Sequence, residues 1–213
     1  MSEAGPHPAA AILAFVARLV SGASVRFLAG PLRDGQRIYF ANHSSHLDAI
    51  VLWASLPTRV RPHVRPVAAR DYWEAGAVRR YLATRAFRAY LVERGGSGDD
   101  RERRDRALQG MVDALGTRDS LIIFPEGTRG STNEPAEFRS GLYNLARARP
   151  DVELMPVYME NLNRILPKGE LLPVPFVSRV TFGHPMRVDE GEPKADFLER
   201  ARRAVVDLRT TQS

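Results

Sequence analysis

The stretch Arg37-Ile38-Tyr39-Phe40-Ala41-Asn42-His43-Ser44-Ser45-His46-Leu47-Asp48-Ala49-Ile50-Val51-Leu52-Trp53 decides how this chain is read. Its first five residues form an apolar run of strand character, and its last five an apolar run of helical character. A strand end opening into a helix start is where α/β proteins place their chemistry. On one continuous helix the side chains of His43 and Asp48 would diverge by about 140°, so they meet only if the helix begins between them. Ser44 and Ser45 supply cap residues for such a start, which leaves His43 on the loop and Asp48 in the first turn. A carboxylate placed there fixes the tautomer of the imidazole and raises its basicity, as a general base requires. Two other readings share these residues. Ser45 and Asp48 suit a capping box, with His43 bonded to backbone; His43, His46 and Asp48 suit a metal site, although no further ligand cluster accompanies them.

A second motif, Phe124-Pro125-Glu126-Gly127-Thr128-Arg129, follows Ser120 to Phe124, a short apolar run of the kind buried in a central sheet. A third strand-like run, Arg88 to Glu93, ends at Arg94. The carboxyl ends of parallel strands lie along one edge of a sheet, so His43, Arg94, Glu126 and Arg129 are expected to face one crevice. Guanidinium forks match phosphate oxygens in geometry and charge. A base beside a phosphate site suggests activation of a hydroxyl on a phosphorylated acceptor. A serine nucleophile is less attractive, because the chain has no Gly-x-Ser-x-Gly elbow. The glycine-rich stretch Gly95 to Asp100 lacks the spacing of either nucleotide fingerprint and reads as a flexible connection.

Length and composition bound the rest. At 213 residues the chain suits one substantial core. It has no cysteine, which excludes disulfides, thiolate metal sites and a cysteine nucleophile and suits a cytoplasmic protein. A net charge of +6 favours anionic partners. The basic run Arg101 to Arg106 is interleaved with Glu102 and Asp105, which favours a solvated helix face over the nucleic-acid patch it resembles; the alternative it leaves open is a non-catalytic basic module that binds nucleic acid or anionic membrane.

In the first 30 residues, Ile12, Leu13, Val16, Leu19 and Val20 repeat at helical spacing, with Arg18 interrupting. The run falls well short of the roughly 20 residues a spanning helix needs, and no basic region precedes it as in a signal peptide. It is expected either to pack on the core or to lie in a membrane interface. Further helices are expected from Asp71 to about Thr84, from the Arg101 run to a stop at Gly116, near Glu137 to Ala148, and from Lys194 to Leu208. The stripe of Tyr72, Trp73, Val78, Tyr81 and Leu82 suits core packing or the wall of a groove for a long apolar chain. Strands are expected at Arg65 to Ala69, Val152 to Met159 and Phe176 to Phe182, with an irregular loop over 160 to 175. The alternation predicts one α/β domain with a mostly parallel central sheet flanked by helices, over residues 31–213, preceded by an apolar helical segment over residues 1–30.

These residues resemble the glycerolipid acyltransferases of the 1-acylglycerol-3-phosphate acyltransferase type. His43 and Asp48 match that family's Asn-His-x-x-x-x-Asp motif, and Phe124 to Arg129 matches its Phe-Pro-Glu-Gly-Thr-Arg motif. Phe138-Arg139-Ser140-Gly141, with Pro156 in an apolar strand, is similar to its later landmarks in order and spacing. The resemblance implies transfer of an acyl group from acyl-CoA or acyl carrier protein to the hydroxyl of a lysophospholipid at an anionic membrane surface. The setting it implies is cytoplasmic, peripheral on the inner face of the cell membrane. It implies His43 as base, Asp48 as its orienting partner, Glu126, Gly127, Thr128 and Arg129 as the acceptor site, and Arg94 as a phosphate contact. No metal, cofactor or nucleic acid is expected. Arg88 and Leu91 stand where the family usually has glycine and phenylalanine, and Gly130 where serine often follows the arginine. These departures bear on the acceptor head group more than on the chemistry.

Overall fold

Strand β2 (Arg37–Ala41) lies in the middle of a seven-stranded sheet. A computed structural model of the chain describes residues 8–45, 47–93, 99–130, 134–162 and 178–210. The other strands are β1 (Ser24–Phe27), β3 (Val64–Ala69), β4 (Tyr90–Val92), β5 (Ser120–Ile123), β6 (Glu153–Glu160) and β7 (Arg179–Phe182). Their order across the sheet is β1-β7-β6-β2-β5-β3-β4. Every neighbouring pair is parallel except β6 and β7, so the expected mostly parallel α/β domain is what the chain forms.

All five residues of β2 are buried, because helices cover both faces of the sheet. Alternation along the strand sends Tyr39 and Ala41 to one core, and Ile38 and Phe40 to the other. The first core is closed by α1 (Pro8–Ser21), α2 (Asp48–Ser55) and the aromatic residues Trp73 and Phe87. The second is closed by α5 (Asp100–Leu115), α6 (Gly141–Ala148) and the last helix, α7 (Lys194–Thr210). Gly116 ends α5, its N–H donating to Val112 O at 3.1 Å.

Helix α1 packs on the core with one face and leaves a second apolar face exposed. Ala10, Leu13, Ala14, Ala17 and Val20 pack on the core, at the spacing of one helix face. A second apolar stripe, Ile12, Phe15, Val16 and Leu19, faces outward, with Phe15 68% and Leu19 71% exposed. Arg18 ties the helix down by donating from Nε to Ala54 O at 2.7 Å, at the carboxyl end of α2. No helix among the described residues is long and apolar enough to cross a membrane. Strand β1, within the first 30 residues, pairs with β7 in the same sheet.

Two helices differ from the sequence expectation. The helix expected from Asp71 to Thr84 is broken into α3 (Arg70–Trp73) and α4 (Ala77–Tyr81), which runs into a π turn over Leu82–Ala86. Gly76, at φ 138°, takes a conformation no helix contains, and it separates the two pieces. The helix expected from Glu137 begins only at Gly141. Ahead of it, the Arg139 N–H donates to Pro125 O at 2.9 Å, and Phe138 packs edge-on against Phe40, so this segment is spent bracing a neighbouring loop. The glycine-rich stretch from Gly95 to Gly98 and most of the 160–175 loop lie outside the described residues.

Candidate active site

Strands β2, β5, β3 and β4 run parallel and side by side, so their carboxyl ends share one edge. Along that edge lies a cleft of about 450 Å³. His43 lines it just past β2, with Phe124, Gly127 and Arg129 just past β5. Ala69 at the end of β3, with Tyr72 and Trp73 beyond it, forms the wall, and Val92 closes it at the end of β4. Of the aromatic stripe, Trp73 is both core and cleft wall, and Tyr72 lines the cleft.

The first motif is built from the strand outward. The Asn42 side chain acts as an extra rung of the ladder between β2 and β6: its Nδ2 donates to Met159 O at 2.9 Å, and its Oδ1 accepts from Met159 N–H at 2.8 Å. This ends β2 with its neighbour satisfied and releases His43 from the sheet. Helix α2 then begins at Asp48, as expected from the five-residue spacing, with Leu47 and not a serine at the cap position. The serines contribute their backbone: Asp48 Oδ2 accepts from Ser44 N–H at 2.6 Å and from Ser45 N–H at 2.8 Å. The same oxygen lies 2.9 Å from His43 Nδ1. The helix-start reading and the catalytic reading thus share one atom.

That sharing settles the imidazole's orientation. A carboxylate oxygen can only accept, so in the neutral ring the proton sits on Nδ1 and Nε2 is the nitrogen that carries the lone pair. The ring stacks on Phe124 at 4.3 Å between centroids, which restricts its rotation. Asp48 is fully buried, and its Oδ1 has no protein partner.

The second motif clamps the first. His43 N–H donates to Glu126 Oε1 at 2.7 Å, and Gly130 N–H donates to His43 O at 2.8 Å, so both backbone groups of the histidine are held by the Pro125–Gly130 loop. Glu126 Oε2 accepts from Ala136 N–H at 2.9 Å. Burial, at 4% exposure, pushes the Glu126 carboxyl above its ordinary pKa, against the opposing pull of these hydrogen bonds and of His43. Gly127 takes the left-handed turn, φ 72°, that points the loop at the cleft. Arg129 is exposed and lines the cleft, whereas Thr128 is exposed and does not line it. Arg94 and His46 lie outside the described residues. Among the described residues, no group of three His, Asp or Glu side chains is arranged to hold a metal.

A family model described as Acyltransferase matches residues 26–160. The chain belongs to the acyltransferase family. Both motifs of this acyltransferase and all of its cleft-lining residues lie within the matched span. Its fold is similar to the crystal structure of the 1-acyl-sn-glycerophosphate (LPA) acyltransferase, PlsC, from Thermotoga maritima. That likeness has a TM-score of 0.68 at 15% identity, over 95% of this chain and 80% of the other. No curated protein matches the acyltransferase by sequence.

Two features of the site escaped the sequence reading. The Asn42 rung depends on a partner 117 residues away, which no local pattern reveals. Arg139 lines the cleft, although Phe138-Arg139-Ser140-Gly141 had drawn attention only by its order in the chain.

Proposed function

We propose that this acyltransferase moves a fatty acyl group from acyl-CoA or acyl carrier protein to the free hydroxyl of a lysophospholipid, with 1-acylglycerol-3-phosphate as acceptor and phosphatidic acid as product. The observation that carries the reading is the 2.9 Å contact between His43 Nδ1 and Asp48 Oδ2 in a histidine that lines the cleft. In this mechanism His43 Nε2 removes the acceptor's hydroxyl proton as the oxygen attacks the thioester carbonyl carbon. The C–S bond of the tetrahedral intermediate then breaks, and the proton passes from the imidazolium to the departing sulfur. Asp48 holds the ring in the reactive tautomer and supports its positive charge, and the positioning of two substrates in one cleft supplies much of the acceleration. No covalent enzyme intermediate and no metal are needed.

Arg129 is the acceptor contact in this reading, facing the phosphate from the cleft rim. Gly127 gives the loop its turn, and Thr128 flanks Arg129. Glu126 serves by bracing the loop against His43, since both of its oxygens are engaged by backbone. Arg94 completes the phosphate contacts.

The setting we infer is the inner face of the cell membrane, with the protein cytoplasmic and peripheral. Support comes from α1, whose outward apolar stripe together with Tyr81 makes up the large exposed hydrophobic residues of the described structure. Arg79 and Arg80 adjoin Tyr81 in sequence and are exposed. Apolar side chains flanked by arginine suit an anionic lipid surface.

The test is thiol release from acyl-CoA by the purified protein, with a panel of lysophospholipids and with His43→Ala as control. The expected result is release that depends on the acceptor and is lost in the variant. Release without any acceptor would mean hydrolysis, and the proposal would fall.

A further inference from the structure

The cleft holds a second guanidinium besides that of Arg129. Arg139 lines it, its backbone fixed by the bond to Pro125 O. The side chain lies across the turn at Gly127: a Cβ built there would sit 2.9 Å from Arg139 Nε, 3.0 Å from Cδ and 3.1 Å from Cζ. Glycine at this position therefore does two things. It adopts the left-handed turn, and it leaves room for the arginine stem to rest on the loop.

Nothing in the described structure neutralises this group. Some arginines elsewhere have acidic partners, as Arg200 has Glu192 and Arg203 has Glu199. No described carboxylate lies within ion-pair distance of Arg139 or Arg129, and Asp71 is the one acidic side chain among the residues lining the cleft. Two unpaired guanidinium groups at one cleft, beside a histidine that needs to be neutral to act as base, form an incomplete electrostatic set. A bound dianion completes it.

We propose that Arg139 and Arg129 together clamp the phosphate monoester of a substrate, and that the close approach of Arg139 to Gly127 aims its guanidinium at that phosphate. Which substrate carries the phosphate, the lipid acceptor or the thioester donor, is the one point that rests on the acyl-transfer reading.

Calorimetric titration tests the clamp without turnover. Dodecyl phosphate, below its micellar concentration, is titrated into the wild-type protein, Arg139→Gln and Arg139→Lys, with 1-dodecylglycerol as the uncharged control. The glutamine variant is expected to bind dodecyl phosphate about tenfold more weakly and the control equally well, since only a charge-assisted contact is removed. Lysine should restore part, because it keeps the charge and loses the fork. Equal phosphate affinity in wild type and Arg139→Gln would overturn the proposal. Equal loss for both probes would also overturn it, by showing that Arg139 acts through the shape of the cleft.

Competition then identifies the source. Displacement of dodecyl phosphate by lysophosphatidic acid assigns the clamp to the acceptor, and displacement by CoA alone assigns it to the donor. Displacement by neither removes it as a substrate site. If the wild-type protein releases no thiol in the turnover assay, the acyl-transfer reading fails, while the titrations still decide the clamp.

Discussion

The backbone N–H of His43 donates to Glu126 Oε1 at 2.7 Å, although the two residues belong to different motifs and stand 83 positions apart. The general base of the proposed mechanism is therefore held from two sides. Asp48 fixes its ring, and Glu126 fixes its backbone.

Glu126→Gln separates these supports. An amide offers one acceptor oxygen where the carboxylate offers two, so either the His43 or the Ala136 N–H loses its partner, at a cost of about 1–3 kcal/mol. The pH dependence has a definite sign. Burial raises the Glu126 pKa above its ordinary 4.5, so the folded state binds this proton more tightly than the unfolded state. The associated stability is complete below the ordinary value and is lost as pH rises through the folded pKa. Urea midpoints of the wild type should carry this downward component above pH 4.5, and those of Glu126→Gln should lack it. Parallel pH profiles would show that Glu126 does not titrate in this window.

Asp48→Asn is expected to fold, because the amide oxygen can take the place of Oδ2 and the NH₂ group the place of Oδ1, which has no protein partner. The charge that supports protonated His43 is gone, so acyl transfer should fall on the order of 10²–10⁴-fold. His43→Ala should abolish transfer, and His46→Ala should keep most of it. Wild-type turnover in Asp48→Asn, with thiol release as the readout, would reduce the aspartate to a helix-start residue.

Asn42→Ala removes both side-chain bonds to the Met159 backbone. It leaves the buried N–H and C=O of Met159, on β6, without partners. A stability loss of about 2–4 kcal/mol is expected, as two unsatisfied groups dictate. Activity should fall as well, because the strand end sets where His43 leaves the sheet. Aspartate at 42 should restore little, since it can accept but not donate. Chemical denaturation read alongside turnover checks both parts.

Arg129→Ala should lower kcat/KM about tenfold to a hundredfold for a phosphorylated acceptor, the worth of a charge-assisted contact made in a half-enclosed cleft. The loss should be small for an acceptor lacking phosphate. A uniform loss across acceptors would mean that Arg129 maintains the loop or touches the thioester donor.

Phe15→Ser with Leu19→Ser leaves the core-facing stripe of α1 intact, since both side chains point outward. Sedimentation with anionic vesicles should drop severalfold while the melting temperature is unchanged. Leu13→Ser, on the packed side, should instead lower the melting temperature. Unchanged vesicle binding in the double variant would place the docking surface elsewhere.

The pattern of what could be read from the sequence follows from the range of the forces involved. The strand and helix around His43, the helix start before Asp48 and the parallel sheet are set by local periodicity and by strand ends that must lie on one edge. They appeared as expected. The break at Gly76 was missed because the apolar spacing continues across it, and only the backbone angle of a single glycine interrupts the helix. The late start of α6 was missed for the opposite reason: Glu137 to Ser140 suit a helix, but Phe138 and the Arg139 N–H find partners on Phe40 and Pro125. The partners of Glu126 were equally hidden. Its motif marked it for the acceptor, while its hydrogen bonds run to the backbone of His43 and Ala136.

If the outward stripe of α1 docks on lipid as proposed, it changes the dimensionality of the reaction. A protein held at the lipid surface by Ile12, Phe15, Val16 and Leu19 meets its acceptor by lateral diffusion and not from bulk water. The governing variable becomes the mole fraction of lysolipid in the surface. Diluting the acceptor with inert phospholipid at constant total acceptor should slow the reaction, while diluting the vesicle suspension with buffer at a fixed donor concentration should leave the rate per bound enzyme nearly unchanged.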